Sequence, residues 1–137
     1  MILRKAAGRD IAAILQIQSE SGAASSWRAE DYLAYVCTVA EIDGQVAGYL
    51  LARQVAESEF EILHVAVARE FRRRGVALSL IRVQLAESKG DWFLEVRASN
   101  TAARSLYEKA RFMNFGVREG YYCDPPEHGI VMRIRSC

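Results

Sequence analysis

No apolar run in this sequence approaches the roughly 20 residues a helix needs to cross a bilayer, which argues against a helical membrane protein. Surplus charge is almost absent: 18 Lys and Arg against 17 Asp and Glu leave a formal net +1. A general nucleic-acid coat or a membrane-surface role is therefore not expected, and any electrostatic function must be local. Cysteine is scarce, odd in number and dispersed, at Cys37, Cys123 and Cys137, with no C-x-x-C. The two histidines, His64 and His128, have no ligand spacing around them. Free thiols in a reducing cytoplasm are the expectation, with no metal site. The start, "MILRKAAGRDIAAILQIQ", sets basic residues before an apolar patch, but Gln16 and Gln18 break the patch and no small-residue cleavage pattern follows. A signal peptide is not expected, and the expected location is cytoplasmic. Repeats, low-complexity tracts and linkers are also missing, so residues 1–137 read as a single domain, large enough to bury about two-thirds of its unfolded surface.

What is present alternates in character. "ILRKA" reads as an edge strand. "GRDIAAILQIQSES" spaces Ile11, Ile14, Leu15 and Gln18 at helical intervals, with Asp10 near the start where its charge suits the dipole. "GAASS" breaks that helix, and Ser26 can cap a second through "WRAEDYLAYV". "CTVAEIDGQVAGYLLARQV" reads as a hairpin around Asp43-Gly44, and "ESEFEILHVAVA" as a central strand, apolar on both faces. A helix follows, burying Ala77, Leu80, Ile81 and Leu85 and closing at Lys89-Gly90-Asp91. "WFLEVRA" is a strand with Trp92, Leu94 and Val96 on one face and Phe93, Glu95 and Arg97 on the other. Ser99 or Asn100 opens the helix "SNTAARSLYEKA", with Ala102, Leu106 and Ala110 stacked along it. "FMNFGVREGYYC" and "GIVMRIRS" then read as two strands joined by the loop "DPPEH". The pattern predicts an α/β or α+β sheet with helices on its faces.

Between the central strand and the next helix stands "EFRRRGVALSLI". Gly75 lets backbone approach a ligand closely, and the helix that begins there presents unpaired N–H groups and its positive dipole end. Arg72, Arg73 and Arg74 add charge, and their tight loop can turn successive N–H groups inward as a nest. Strand, basic loop, glycine and helix together make a candidate pyrophosphate site, with a plain solvated basic loop as the alternative. The G-x-G-x-x-G and P-loop patterns are both absent.

Arg72-x-x-Gly75-x-Ala77 resembles the Q/R-x-x-G-x-G/A signature of the GNAT superfamily of N-acetyltransferases. "FLEVRASNTAARSLYEKARF", "EILHVAV", "SSWRAEDY" and the Tyr121-Tyr122 pair resemble the RimI-like branch, the ribosomal-protein-alanine N-acetyltransferases. The resemblance covers nearly the whole chain. It implies a mixed, mostly antiparallel sheet of about seven strands with about four helices, its central strands splayed around acetyl-CoA. It implies acetyl-CoA as co-substrate, with Arg72, Arg73, Arg74, Gly75, Val76 and Ala77 on the pyrophosphate and Asn100 on the coenzyme arm. Backbone N–H groups of Val65, Ala66 and Val67 would meet the thioester carbonyl. The acceptor it implies is a protein or peptide N-terminus, a ribosomal protein among the possibilities. A small amine, a lysine side chain or a non-catalytic acyl-CoA or anion-binding role are the alternatives.

Acetyl transfer to an amine needs the neutral amine. At pH 7 about a tenth of an α-amine of pKa near 8 is neutral, against about one part in a few thousand of a lysine near 10.4. Glu95, flanked by Leu94 and Val96, can have its pKa raised by desolvation and act as base. An ion pair with Arg97 is the competing reading, and the resemblance favours the base. Glu61 on the preceding strand is the rival base. Tyr107 falls where the family's tyrosine lies beside the coenzyme sulfur, and it can protonate the departing thiolate. No nucleophile triad is evident, so direct transfer is expected. One departure stands out. Ala110-Arg111-Phe112 replaces the usual Leu-Gly-Phe, so Arg111 must itself take the left-handed conformation or the helix must end differently. Asp124 and Glu127 lie in the last loop, where they could favour a cationic N-terminus, with a plain solvated turn as the competing reading.

Overall fold

A computed structural model describes residues 1–21, 27–123 and 126–137, with the Cys123 side chain left aside. The chain forms β1 (Ile2–Lys5), α1 (Ile11–Glu20), α2 (Ala29–Ala34), β2 (Val36–Ile42), β3 (Gln45–Ala56), β4 (Glu59–Val67), α3 (Val76–Glu87), β5 (Gly90–Arg97), α4 (Thr101–Lys109), β6 (Met113–Cys123) and β7 (Pro126–Ser136). Short 3-10 turns at Gly8–Asp10 and Arg69–Phe71 precede α1 and follow β4. The strands form one seven-stranded sheet in the order β1-β2-β3-β4-β5-β7-β6. β1 with β2, β2 with β3, β5 with β7 and β6 with β7 pair antiparallel, while β4 and β5 are parallel. This is the mixed, mostly antiparallel sheet with four helices that the sequence led us to expect. Among the described residues no helix is long and apolar enough to cross a membrane.

The chain divides into two compact units, Met1–Arg53 with Ile62–Gln84, and Gln54–Glu61 with Leu85–Cys137. In the first, β1 is an edge strand and the β2–β3 hairpin turns at Asp43 and Gly44, whose φ of 51° and 76° are what a two-residue hairpin turn demands. Ile14 and Ile17 are the fully buried residues of α1, with Ile11 and Leu15 at the margin of that face. Asp10 precedes the helix as expected. It is also tied into the fold: its carboxylate accepts two bonds from Arg4, at 2.8 and 2.9 Å, and one from the Ala7 N–H at 2.8 Å. The break at "GAASS" and the Ser26 cap lie outside the described residues; α2 itself starts at Ala29, where the Asp31 carboxylate accepts the Arg28 N–H at 2.8 Å. Leu80 and Ile81 of α3 are fully buried, as expected of the apolar stripe. Gln84 is buried beside them because its Oε1 accepts the Thr38 hydroxyl of β2 at 2.9 Å.

In the second unit the alternation along β5 holds, with Trp92, Leu94 and Val96 buried and Phe93, Glu95 and Arg97 half-buried. The parallel register of β4 with β5 spans three pairs, Glu59–Asp91, Phe60–Trp92 and Glu61–Phe93. Three local expectations are corrected. α3 ends at Glu87, and Gly90 and Asp91 already belong to β5, Gly90 paired with Ser136. Of the residues stacked along α4, Ala110 at its cap is buried and Leu106 half-buried, but Ala102 is exposed, and the buried residue within the helix is Tyr107. The last connection is shorter than "DPPEH", since Pro126, Glu127 and His128 are already in β7.

Candidate active site

The anion-binding candidates lie in the first unit. Arg73 has φ 66° and Gly75 φ 74°, with Arg74 between them on the ordinary side of the map. Alternation of this kind turns successive N–H groups toward one side, the geometry of a nest. Arg73 holds a left-handed conformation that costs a non-glycine residue about 1 kcal/mol, a strain found where backbone direction matters. The Gly75 carbonyl accepts the Ser79 N–H at 3.0 Å, so Gly75 is the residue from which α3 springs. Among the described residues no carbonyl accepts the N–H of Val76, Ala77 or Leu78, and these donors stand at the positive end of a 12-residue helix. A Cβ at Gly75 would meet nothing within 4 Å, so the approach to the loop is open.

The three guanidinium groups do different work. Arg72 Nε donates to the Val67 carbonyl at 3.3 Å, tying the loop to the end of β4. Arg74 lies 5.4 Å from the centre of the buried Phe71 ring, a cation–π contact that steadies the loop from the other side. Arg73 has no described partner and is exposed, which leaves its charge available to a ligand. Behind the loop, Gly48 makes a close approach possible. A Cβ there would lie 2.8 Å from the Ala66 carbonyl oxygen and 3.2 Å from Val76 Cγ1, so only glycine lets β3 pass this close to the end of β4 and the start of α3.

The second unit gathers the acid and base candidates. Glu95 Oε1 accepts from Arg118 Nη1 at 2.5 Å, and Oε2 is buried without a hydrogen-bond partner. The expected alternative partner, Arg97, is engaged elsewhere: it pairs with Glu127 at 3.5 Å and lies 4.3 Å over the Tyr122 ring. Glu61 is paired with Phe93, so it shares a sheet face with Glu95, two residues further along β5, and its charge also acts on Arg118. The Arg118 pKa lies above its ordinary value chiefly because of the hydrogen bond to Glu95.

Tyr107 is buried, and desolvation pushes its phenol up to about 12, with the nearby Tyr122 adding to the shift. Tyr122 is raised too, by burial first and then by the charge of Glu95. One aromatic therefore stands within electrostatic reach of both the base and the acid candidate. The sequence marked Tyr121-Tyr122 only as a resemblance and did not single out Arg118. A signal for both existed in the aromatic–basic run of β6, but nothing in its spacing pointed to Glu95.

Asn100 is the cap of α4: its Oδ1 accepts the Ala103 N–H at 3.1 Å. Of the two openings the sequence allowed, Ser99 or Asn100, the second is used. Ser99 instead gives its backbone N–H to the Glu127 carboxylate. Glu127 thus braces the turn between β5 and α4, its pKa held below the ordinary range by Ser99 and Arg97, rather than offering a free charge to an acceptor. Asp124 lies outside the described residues. At the far end of α4 the Arg111 N–H bonds the Glu108 carbonyl and the Phe112 N–H bonds the Tyr107 carbonyl, both at 2.9 Å. This is a Schellman stop with an arginine, φ 78°, at the position glycine usually fills. The expectation for Arg111 is met, and the stop fixes Tyr107 at the end of its helix.

The chain is similar to known proteins over much of its length. The acetyltransferase (GNAT) family matches residues 10–112. An N-alpha-acetyltransferase of Saccharolobus solfataricus is 32% identical over 111 residues, 69% of this chain. The [ribosomal protein bS18]-alanine N-acetyltransferase of Escherichia coli K12 is 33% identical over 116 residues, 80% of this chain and 76% of its own. The match spans 66% of the length of the Saccharolobus relative and 61% of that of a Sulfurisphaera tokodaii N-alpha-acetyltransferase. The solved E. coli ribosomal-protein-S18-alanine N-acetyltransferase superposes with a TM-score of 0.85 at 24% identity, covering 98% of this chain and 93% of that one. Arabidopsis thaliana NAA60 in complex with acetyl-CoA gives 0.85 at 19% identity, covering 98% of each. At these identities the two structures speak for the fold.

Proposed function

Since the chain belongs to the GNAT acetyltransferase family, we propose that it transfers the acetyl group of acetyl-CoA directly to an amine, and that the amine is a protein N-terminal α-amine of the ribosomal-protein-alanine type. The single observation that carries the reading is the loop before α3. Its left-handed Arg73 and Gly75 and the unpaired N–H groups of Val76, Ala77 and Leu78 offer a diphosphate several donors at once, with Arg73 as the added charge. Arg72 and Arg74 act on the coenzyme through the loop's shape.

The residues present fit the coenzyme chemically: an open cradle over Gly75, a basic loop and a helix start. Backbone of Val65, Ala66 and Val67 would polarise the thioester carbonyl and support the oxyanion that develops there. Asn100 keeps its amide nitrogen for the coenzyme arm while its oxygen caps α4. Glu95 takes a proton from the amine, its Oε1 held by Arg118 and its Oε2 unpaired. Tyr107 serves the departing sulfur. With its pKa pushed to about 12 it keeps its proton throughout physiological pH. Complete transfer to a thiolate of ordinary thiol pKa near 8.5 would be uphill by about 5 kcal/mol, so its contribution is a hydrogen bond to developing negative charge. The α-amine is favoured over lysine because a larger fraction is already neutral.

Incubation with acetyl-CoA and a panel of N-terminal peptides tests the reading. Release of free thiol together with an acetylated α-amine, located by mass spectrometry, is expected for peptides. Binding of acetyl-CoA with no turnover on any amine would point instead to a non-catalytic role.

A further inference from the structure

His64 directly precedes Val65, about 3.3 Å along the strand from the backbone proposed to meet the thioester, and none of the roles above uses it. Its ring is half-buried. Nδ1 lies 2.8 Å from the Tyr49 hydroxyl of β3, and the two rings meet edge-on at 5.4 Å. The Tyr49 hydroxyl is 3.3 Å from the Tyr32 hydroxyl of α2, which in turn donates to Gln18 Oε1 of α1. The far end of this chain is anchored on backbone: Gln18 Oε1 accepts the Trp27 N–H at 2.9 Å and Gln18 Nε2 donates to the Trp27 carbonyl at 3.0 Å.

The anchor sets the direction of each hydrogen. Gln18 Oε1 can only accept, so the single O–H of Tyr32 goes to it. Between the two phenols the donor is then Tyr49. Its own hydrogen thus committed, Tyr49 accepts from His64, and the proton sits on Nδ1. Three contacts are satisfied by three hydrogens. The opposite tautomer would leave the two phenol oxygens facing one another with no hydrogen between them.

Nε2 therefore carries the lone pair. Among the described residues it has no hydrogen-bond partner, and it is not one of the buried unpaired atoms. Among the described residues, the groups in contact with the imidazole are Tyr49 of β3, with Tyr32 of α2 and Gln18 of α1 behind it, and none of these carries charge. Burial alone holds the His64 pKa below its ordinary 6.5, so the ring is neutral at pH 7.

We infer that His64 is a second proton acceptor for the amine substrate, with the Tyr49–Tyr32–Gln18 chain fixing the tautomer that presents a bare Nε2. An N–H bond of the acceptor ammonium breaks, its electron pair stays on nitrogen as the nucleophile, and a new N–H bond forms at Nε2. The imidazolium then returns that proton to water. The inference rests on the acetyl-transfer reading above.

Nitrogen-15 NMR of the full chain should show His64 protonated on Nδ1 at neutral pH, and a mixture of tautomers in Tyr49→Phe. In turnover of acetyl-CoA with an alanine-starting peptide, His64→Gln should lower kcat/KM for the peptide about tenfold or more. The wild-type acidic limb below pH 6.5 should disappear with it, and coenzyme affinity should be unchanged. Tyr49→Phe, which keeps the imidazole, should lose part of the same rate. A wild-type ring protonated on Nε2, or His64→Gln turning over peptide like an active wild type, overturns the inference. A wild type that acetylates no amine overturns the transfer reading, and this inference with it.

Discussion

Glu95 divides its two oxygens: Oε1 is held by Arg118, and Oε2 is buried with no hydrogen-bond partner. An unpaired buried carboxylate oxygen is costly in a purely structural ion pair, and is where a proton-accepting group would be expected to show itself. Glu95→Gln should lower kcat/KM by at least about tenfold, equal to about 1.4 kcal/mol, with thermal stability little changed. Arg118→Ala should reduce the rate less, because it loosens Glu95 without removing it. Steady-state kinetics of both variants distinguish a base from a brace.

Tyr107 gives a second test through pH. Its folded pKa of about 12 stands above the unfolded value of 10, so above pH 10 the unfolded chain releases a proton that the folded chain keeps. Stability falls as pH rises through that window. Tyr107→Phe, which preserves the edge contact with Phe112, should flatten the alkaline decline in melting temperature and lower kcat while sparing coenzyme binding.

At the acid end the sign reverses. Arg4 and the Ala7 N–H hold the Asp10 carboxyl below its ordinary 3.8. The stability it contributes is complete above that value and is lost as pH falls through the lower folded one. Asp10→Ala should cost about 2 kcal/mol at pH 7. Urea unfolding of the variant should also be less sensitive to acid than that of the wild type.

Arg111 provides a case where a change should stabilise. The residue sits at φ 78° in the stop after α4. Arg111→Gly removes the left-handed penalty and returns part of it as unfolded-chain entropy, for a net gain of roughly 0.5–1 kcal/mol. Thermal melts should show a small rise, and Tyr107, held through the Phe112 N–H, should keep its place.

Much of this was legible in short-range pattern. Asp43-Gly44 announces its hairpin, Trp92, Leu94 and Val96 announce the buried face of β5, and Ala110-Arg111-Phe112 announces a helix stop made without glycine. The positions that were not legible depend on partners far along the chain. Arg118 reaches Glu95 from 23 residues away, Glu127 reaches Ser99 from 28, and Thr38 makes a buried Gln84 acceptable from 46. The face of α4 was legible only in part for a related reason: Ala110 is buried, but Ala102 is exposed, and burial takes in Tyr107, whose surroundings are built by Phe112 and Tyr122. Periodicity names a face only when nothing larger competes for the interior.

The most direct measurement is calorimetric titration of coenzyme A into the wild type and into Gly75→Val and Arg73→Glu. The valine cannot easily take φ 74°, and the glutamate reverses a loop charge that has no described partner. Both should weaken binding by about tenfold or more, or about 1.4 kcal/mol, while Arg82→Ala on the exposed side of α3 should leave it intact. Equal affinity in all four proteins would contradict the account.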